Sequence, residues 1–550
     1  MRKTPVPRAT YAEVRAALLE KREIALIDVR EEDTHARAHP LFAAHLPLSR
    51  LELEALARLP RPDVAIVTLD DGGGPAGYAE RAAERLAGLG YARVSLFEGG
   101  IAGWRAAGGE LFRDVNVPSK AFGELVDATL HPPSLAADEL KSLLDARANM
   151  IVADVRRFDE YQTMNIPGAI NVPGAELALR IPGLAPDPAT RVIVNCAGRT
   201  RSIIAAQSLI NAGLPNPVAA LRNGTIGWTL AGLGGHLEHG QTRRFTAVSE
   251  TLRQSAAARA RFLAQSAGAG QVTLSGIAPW KAQKERTTYF IDVRDPAEYE
   301  SGHLPGFRNV PGGQLVQETE MTATVRGARL VLADDDGVRA NMTASWLAQM
   351  AWEVYVLAPP ASGWTETGPW RPPLPPLPDA PAITPDTLRD WQRSSEPPAL
   401  IDLTRYADYR RGHIPGAWYV LRAELITGAL AKLPRASRYV LVCANDALAR
   451  YAHAETAAAV RRHGGKVFVL AGGANAWKAA GLPLEQTERL ASEALDRYRR
   501  PYEGTDNSAA AMQAYLDWEF GLVEQLERDG THHFQVKKFT KPAAATDSSN

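Results

Sequence analysis

Ile27-Asp28-Val29-Arg30, Ala153-Asp154-Val155-Arg156, Ile291-Asp292-Val293-Arg294 and a looser Ile401-Asp402-Leu403-Thr404-Arg405 are copies of one short strand that ends in an acid, spaced one domain apart. Such self-similarity is read before anything else, because it sets the architecture. A turn follows each copy: Ile166-Pro167-Gly168-Ala169, His303-Leu304-Pro305-Gly306 and His413-Ile414-Pro415-Gly416-Ala417, decayed to His45-Leu46-Pro47 in the first. Each copy then supplies a β-branched strand, a polar loop and an Ala-rich helical stretch, as in Arg191-Val192-Ile193-Val194 leading to Ile203 to Ala212. Strand, tight loop and helix form the unit of a parallel α/β sheet. A further strand ends in a Gly-rich turn and a tryptophan: Glu98-Gly99-Gly100 to Trp104, Asn223-Gly224 to Trp228, and Ala471-Gly472-Gly473 to Trp477. In the third copy Pro359 and Pro360 precede Trp364, so that turn has a different shape.

At 550 residues the chain exceeds what one hydrophobic core supports, so several domains are expected. Lys+Arg 62 balances Asp+Glu 62, leaving no bulk field to recruit nucleic acid. The two cysteines, Cys196 and Cys443, exclude a disulfide framework and favour a reducing compartment. Met1-Arg2-Lys3-Thr4-Pro5 is not followed by an apolar signal region, and no apolar run is long enough to span a membrane; a cytoplasmic protein is expected. Residues near Leu130 to Ser134 and the proline-dense run Pro372 to Pro381 read as linkers. The Ala-rich stretch 241–269 reads as a helix connecting two pairs of repeats. From about Glu493 onward, Met512, Tyr515, Leu516, Phe520, Val523 and Leu526 recur at helical spacing and predict a helix docked on the domains, with a disordered extreme end.

Together the Asp-x-Arg strand end, the Pro-Gly turn and the Gly-Gly-x-x-x-Trp turn resemble the rhodanese family over most of the chain. The resemblance implies an α/β protein of four rhodanese-like domains, each a small parallel sheet flanked by helices, plus a C-terminal helical tail. The expected boundaries are 1–115, 130–240, 271–372 and 382–490, with a helical connector at 241–270 and the tail at 491–550.

The second repeat carries Asn195-Cys196-Ala197-Gly198-Arg199-Thr200-Arg201-Ser202, with a helix starting at once. A cysteine there sits where a parallel strand's C-terminal end meets a helix N-terminus, the crevice in which open α/β sheets bind ligands. Loop N–H groups and the helix dipole favour negative charge at that point. A thiolate meeting a dianion at ~4 Å faces on the order of 2 kcal/mol of repulsion even in water. Arg199 and Arg201 are therefore assigned to substrate charge ahead of cysteine activation, and a cation in a helix's first turn calls for an anion. Arg222, in the following turn, is a further candidate. Substrate contacts are expected from Ala197, Gly198, Arg199, Thr200, Arg201, Ser202 and Arg222. The plain alternative for Cys196 is a buried core thiol.

The other repeats differ at that position. Asp334-Asp335-Asp336 and Asp70-Asp71-Gly72-Gly73-Gly74 hold no thiol, and a carboxylate cannot become a persulfide, so both loops are read as inactive. Cys443-Ala444-Asn445-Asp446-Ala447-Leu448-Ala449 keeps the thiol without the arginines, so Cys443 is at most a second thiol. Asp154 and Arg156, which recur with and without a cysteine, are read as structural, and His303 and His413 as turn residues. No zinc-type cluster appears, and neither metal nor cofactor is expected.

The family resemblance implies a sulfurtransferase in which Cys196 takes sulfur from thiosulfate, a small anionic donor, and passes it as a persulfide to a thiol or cyanide. Other readings are 3-mercaptopyruvate as donor, a non-enzymatic sulfur carrier or scaffold, and a cysteine phosphatase or arsenate reductase. The last resembles Cys-x5-Arg, whereas Arg201 closes Cys-x4-Arg here.

Overall fold

The computed structural model describes residues 5–72 and 77–539; the C-terminal end expected to be disordered, and part of the first repeat's glycine loop, lie outside them. Among the described residues the repeats form four sheets of five strands, all with one spatial order. In the second repeat that order is Ser134–Leu135, Val218–Leu221, Arg191–Asn195, Met150–Asp154 and Ile170–Asn171, every neighbouring pair parallel. Parallel neighbours need helical crossovers, which cover both faces and require strands that are apolar throughout. Val192-Ile193-Val194 meets that need in the central strand. Because side chains alternate, Val192, Val194 and Cys196 join one core layer with Val155, Leu177, Ala205 and Leu209. Ile193 joins the opposite layer with Leu140, Tyr161 and Trp228. The fourfold α/β architecture with its helical tail is as expected.

The Asp-x-Arg strand end is a buried ion pair. Arg156 Nε donates to Asp154 Oδ1 at 2.9 Å, and its Nη2 donates to Oδ2 at 2.7 Å and to Met164 O at 2.5 Å. Arg30 and Arg294 make the same bonds to Asp28 and Asp292. In the fourth repeat Thr404 Oγ1 replaces the guanidinium, donating to Asp402 Oδ1 at 2.6 Å, and the Arg405 side chain is half exposed. The rings of His303 and His413 stack on Tyr299 and Tyr409, with Nδ1 2.9 Å from the same tyrosines' carbonyl oxygens. Both histidines serve the turn.

The chain divides into two compact units. One comprises residues up to 14, 24–115 and 371–499, which hold the first and fourth repeats; the other comprises 15–23, 116–370 and 500 onward, with the second and third repeats and the tail. The expected pairing of consecutive repeats is therefore corrected. The connector helix is Glu250–Ala267, started by Ser249 Oγ accepting from Leu252 N at 3.4 Å and ended by Gly268 at φ 104°. It packs within its own unit, where Ala256, Ala260 and Leu263 meet Ala178, Leu179, Val338 and Met342. In that unit the equivalent turns of the two repeats touch: a Cβ on Gly312 would lie 2.8 Å from Ala175 Cβ and 2.1 Å from Thr343 Oγ1, so the approach requires glycine.

Two helices differ from expectation. Residues 116–129 fall in none of the expected domains, yet Val117–Leu130 is a largely buried helix. The tail is two helices, Ala509–Phe520 and Leu522–Asp529, interrupted at Gly521. Met512, Tyr515, Leu516 and Leu526 face inward as expected. The interruption shifts the phase, so that Leu522 is buried in place of Val523, while Phe520 is 54% exposed. No described helix is long and apolar enough to cross a membrane.

Removing one member of a buried ion pair strands the other's charge, at a cost of about 3–5 kcal/mol. Arg156→Met is expected to lower the stability of its unit by that amount in urea denaturation of the full chain. Arg405→Ala, at an exposed site, should stay within about 0.5 kcal/mol. Equal effects of the two would refute the structural assignment of the motif.

Candidate active site

Cys196 follows the central strand directly, and the helix Thr200–Asn211 begins four residues later. Its Sγ donates to Ser202 Oγ at 3.3 Å, and Ser202 Oγ donates to Arg199 O at 2.9 Å. The loop's carbonyls are tied back by the neighbouring turn: Thr225 N donates to Cys196 O and Ile226 N to Ala197 O, both at 3.0 Å. That turn needs glycine, since Gly224 has φ 55° and a Cβ there would meet Cys196 O at 2.3 Å. Cys196 is only 1% exposed, and Ala197, Gly198, Arg199, Thr200 and Ser202 are buried with it.

Both arginines, expected to meet substrate charge, are paired with carboxylates of the chain itself. Arg201 forks onto Glu160, Nη1 to Oε1 at 2.8 Å and Nη2 to Oε2 at 2.9 Å. Arg199 forks onto Glu124 with two bonds of 2.8 Å, donates to Asp127 Oδ2 at 2.7 Å and to Asn223 Oδ1 at 3.3 Å, and lies over the Phe520 ring. The anion that each cation calls for is the protein's own carboxylate. In the third repeat Arg339 and Glu298 occupy the positions of Arg201 and Glu160 and also pair, through Nη1 alone, beside a loop that has no thiol, while Arg339 reaches Glu176, Asp335 and Asp336 as well. Arg222 is exposed and donates to Ser134 Oγ at 3.3 Å on the edge strand, apart from the cluster.

The thiol-free loops show what the helix start can hold. Asp334 accepts from Gly337 N at 3.0 Å and Ala340 N at 2.8 Å, and Asp336 accepts from Val338 N at 2.7 Å and Arg339 N at 3.2 Å. Burial and the neighbouring Asp336 push the Asp334 carboxyl well above the usual range. Asp70 likewise accepts from Gly72 N at 2.9 Å and Ala79 N at 3.0 Å. In the fourth repeat Ala449 N donates to Cys443 Sγ at 3.4 Å, and burial pushes that thiol up. The loop 196–202 contains no acid at all, so its amides have no carboxylate of their own loop to accept from them.

The residues missed from sequence come from distant segments. Glu124 and Asp127 lie on the helix outside the expected domains. Glu160 lies on the short helix Phe158–Thr163, and Glu519 and Tyr515 lie on the tail. The helical spacing of the tail is the one available signal, and it points to docking without saying where.

The rhodanese-like domain model matches residues 10–107, 136–231, 279–367 and 384–480. The crystal structure of thiosulfate sulfurtransferase from Pseudomonas aeruginosa is 62% identical, covering 97% of this chain and 100% of that one, with a TM-score of 0.94. A curated HTH-type transcriptional regulator of Mycobacterium tuberculosis is 37% identical over 109 residues, 18% of this chain; the chain spans 47% of that relative's length. A rhodanese-like domain protein from Staphylococcus aureus is 23% identical, over 20% of this chain and 99% of that one, at a TM-score of 0.17.

Burial works to raise the Glu160 carboxyl, and the Arg201 guanidinium overrides it, holding the group at about 2, below its usual 4.5. A carboxyl depressed in the folded state contributes stability above its unfolded value, lost as pH falls toward the folded one. The stability difference between wild type and Glu160→Gln should therefore be complete near neutral pH, shrink below about 4.5 and vanish near 2, read by urea denaturation at stepped pH. A pH-independent difference would show that the pair is not formed.

Proposed function

This chain belongs to the rhodanese-like family and is a sulfurtransferase, and from that premise we propose that it draws sulfur from thiosulfate through a persulfide on Cys196. The Cys196 thiolate attacks the outer sulfur of thiosulfate. The S–S bond of the donor breaks, sulfite leaves with the bonding pair, and Cys196 holds the transferred sulfur. A second thiol, on a small molecule or a protein, then attacks that sulfur and releases Cys196 as thiolate.

One observation carries this reading. The helix start that receives an aspartate carboxyl group in the first and third repeats lies beside a thiol in the second, in a loop with no acid of its own. Amides that bind Asp334 and Asp336 in one copy are suited to the oxygens of an anionic donor in another. Arg199 and Arg201 then act by fixing the loop, and the helix N-terminus supplies the attraction. Both cysteines are free, which suits a reducing compartment such as the cytoplasm.

In a thiosulfate:cyanide assay Cys196→Ala is expected to fall to background, while Cys443→Ala stays within about twofold of wild type. Mass spectrometry after thiosulfate treatment should find one added sulfur on the Cys196 peptide. Sulfur found on Cys443 alone, or turnover by Cys196→Ala, would overturn the assignment.

A further inference from the structure

We propose that Glu519, carried by the C-terminal helix, is a specificity-determining residue of the sulfur site: charged, it excludes anionic donors from the Cys196 loop, and neutral, it admits them. The inference rests on the Cys196 reading above and assigns the tail a part in the same site.

The helix Ala509–Phe520 roofs the loop. A Cβ on Gly198 would find Tyr515 Cε1 at 3.3 Å and Glu519 Oε2 at 3.6 Å as its nearest neighbours. Thr200, the first residue of the loop's helix, donates from Oγ1 to Glu519 Oε1 at 3.3 Å, and Tyr515 Oη donates to the same oxygen at 2.7 Å. Glu519 is fully buried, and its Oε2 has no hydrogen-bond partner. An ionised carboxylate accepts at both oxygens, whereas the neutral acid keeps one O–H to give. A buried side chain with one end bonded and the other unspent, lying against the loop glycine, is placed to meet what enters that loop.

The charges around it are of both signs. On the helix Val117–Leu130, the Lys120 ammonium lies over the rings of Tyr502, Tyr515 and Trp518, at 5.6, 5.1 and 5.4 Å, and favours the ionised form of Glu519. Glu124 and Asp127 on that helix add negative charge, and Arg199 of the loop is committed to both of them. Burial pushes the Glu519 carboxyl up to about 7, with Glu124 adding to the rise and Lys120, Tyr515 and Arg199 opposing it. Ionised, Glu519 places a buried like charge against a dianion. Protonated, it offers a donor to a sulfonate oxygen, and sulfur transfer proceeds as above.

The sign and size of the effect follow. If only the neutral form accepts thiosulfate, the apparent Kd rises as the neutral fraction falls, about tenfold between pH 6 and pH 8 for a midpoint near 7. The measurement is calorimetric titration of thiosulfate into the full-length Cys196→Ser protein, which removes the nucleophile and so prevents turnover. We expect about tenfold weaker binding at pH 8 than at pH 6, and less than about twofold change in Cys196→Ser/Glu519→Gln. Thermal melts at both pH values verify that each variant is folded. Tyr515→Phe on the Cys196→Ser background removes a bond that favours the ionised form, so it should move the loss of binding to higher pH; this serves if the glutamine variant does not fold. The same pH slope with and without the Glu519→Gln change, or an unmoved midpoint in Tyr515→Phe, overturns the proposal. Absence of persulfide on wild-type Cys196 with pH-dependent binding intact would sink the Cys196 reading alone, and no binding at either pH with persulfide still formed on wild type would sink the Glu519 proposal alone.

Discussion

The amides at the start of the helix that follows each central strand must find an acceptor, because the first N–H groups of a helix have none within it. In the first and third repeats the chain answers with an aspartate, Asp70 or Asp334, bonded by two amides. In the fourth the acceptor is a sulfur, Cys443, held by Ala449 N at 3.4 Å. The second repeat also places a thiol there, with an acid-free loop between it and the helix. In the first and third repeats the acceptor is thus supplied internally; in the second the loop 196–202 has no acid of its own.

The two compact units share a composition that follows from this. Each pairs a repeat with an aspartate loop and a repeat with a cysteine loop. Across the second pair Arg339 donates to Glu176 of the cysteine repeat at 3.0 Å, and across the first Arg422 forks onto Glu52 at 2.6 and 2.8 Å. Buried pairs of this kind lose much of their attraction to desolvation, so their value lies in fixing register while apolar packing holds the interface.

Much of the fold was legible in sequence, because its signals are local. Asp154-Val155-Arg156 closes on itself within three residues, and the alternation Val192, Val194, Cys196 fixes which face the thiol shares. The site was less legible, because its decisive contacts are not local. Arg199 and Arg201 read as free cations in a helix's first turn. Their carboxylates stand at Glu124, Asp127 and Glu160, and nothing in the loop's own residues points to them. The pairing of first with fourth repeats was hidden for the same reason: the surfaces that meet are turns such as Ser49 and Ala423, whose residue types carry no periodic signature.

The neutralised arginines have a physical consequence for how a charged donor is recognised. A loop that relied on guanidinium groups would lose its attraction once each was matched by a carboxylate, as Arg199 and Arg201 are. Amide dipoles carry no net charge and act only over the short range set by the helix's first turn, where an internal acceptor such as Asp334 occupies them in the third repeat. Selectivity then turns on geometry and on whatever fixed charge stands nearest the cradle. With the arginines paired, the charged groups that remain close to the loop are the acids Glu124 and Glu519 and the buried Lys120, so the fixed charge there is a balance between them.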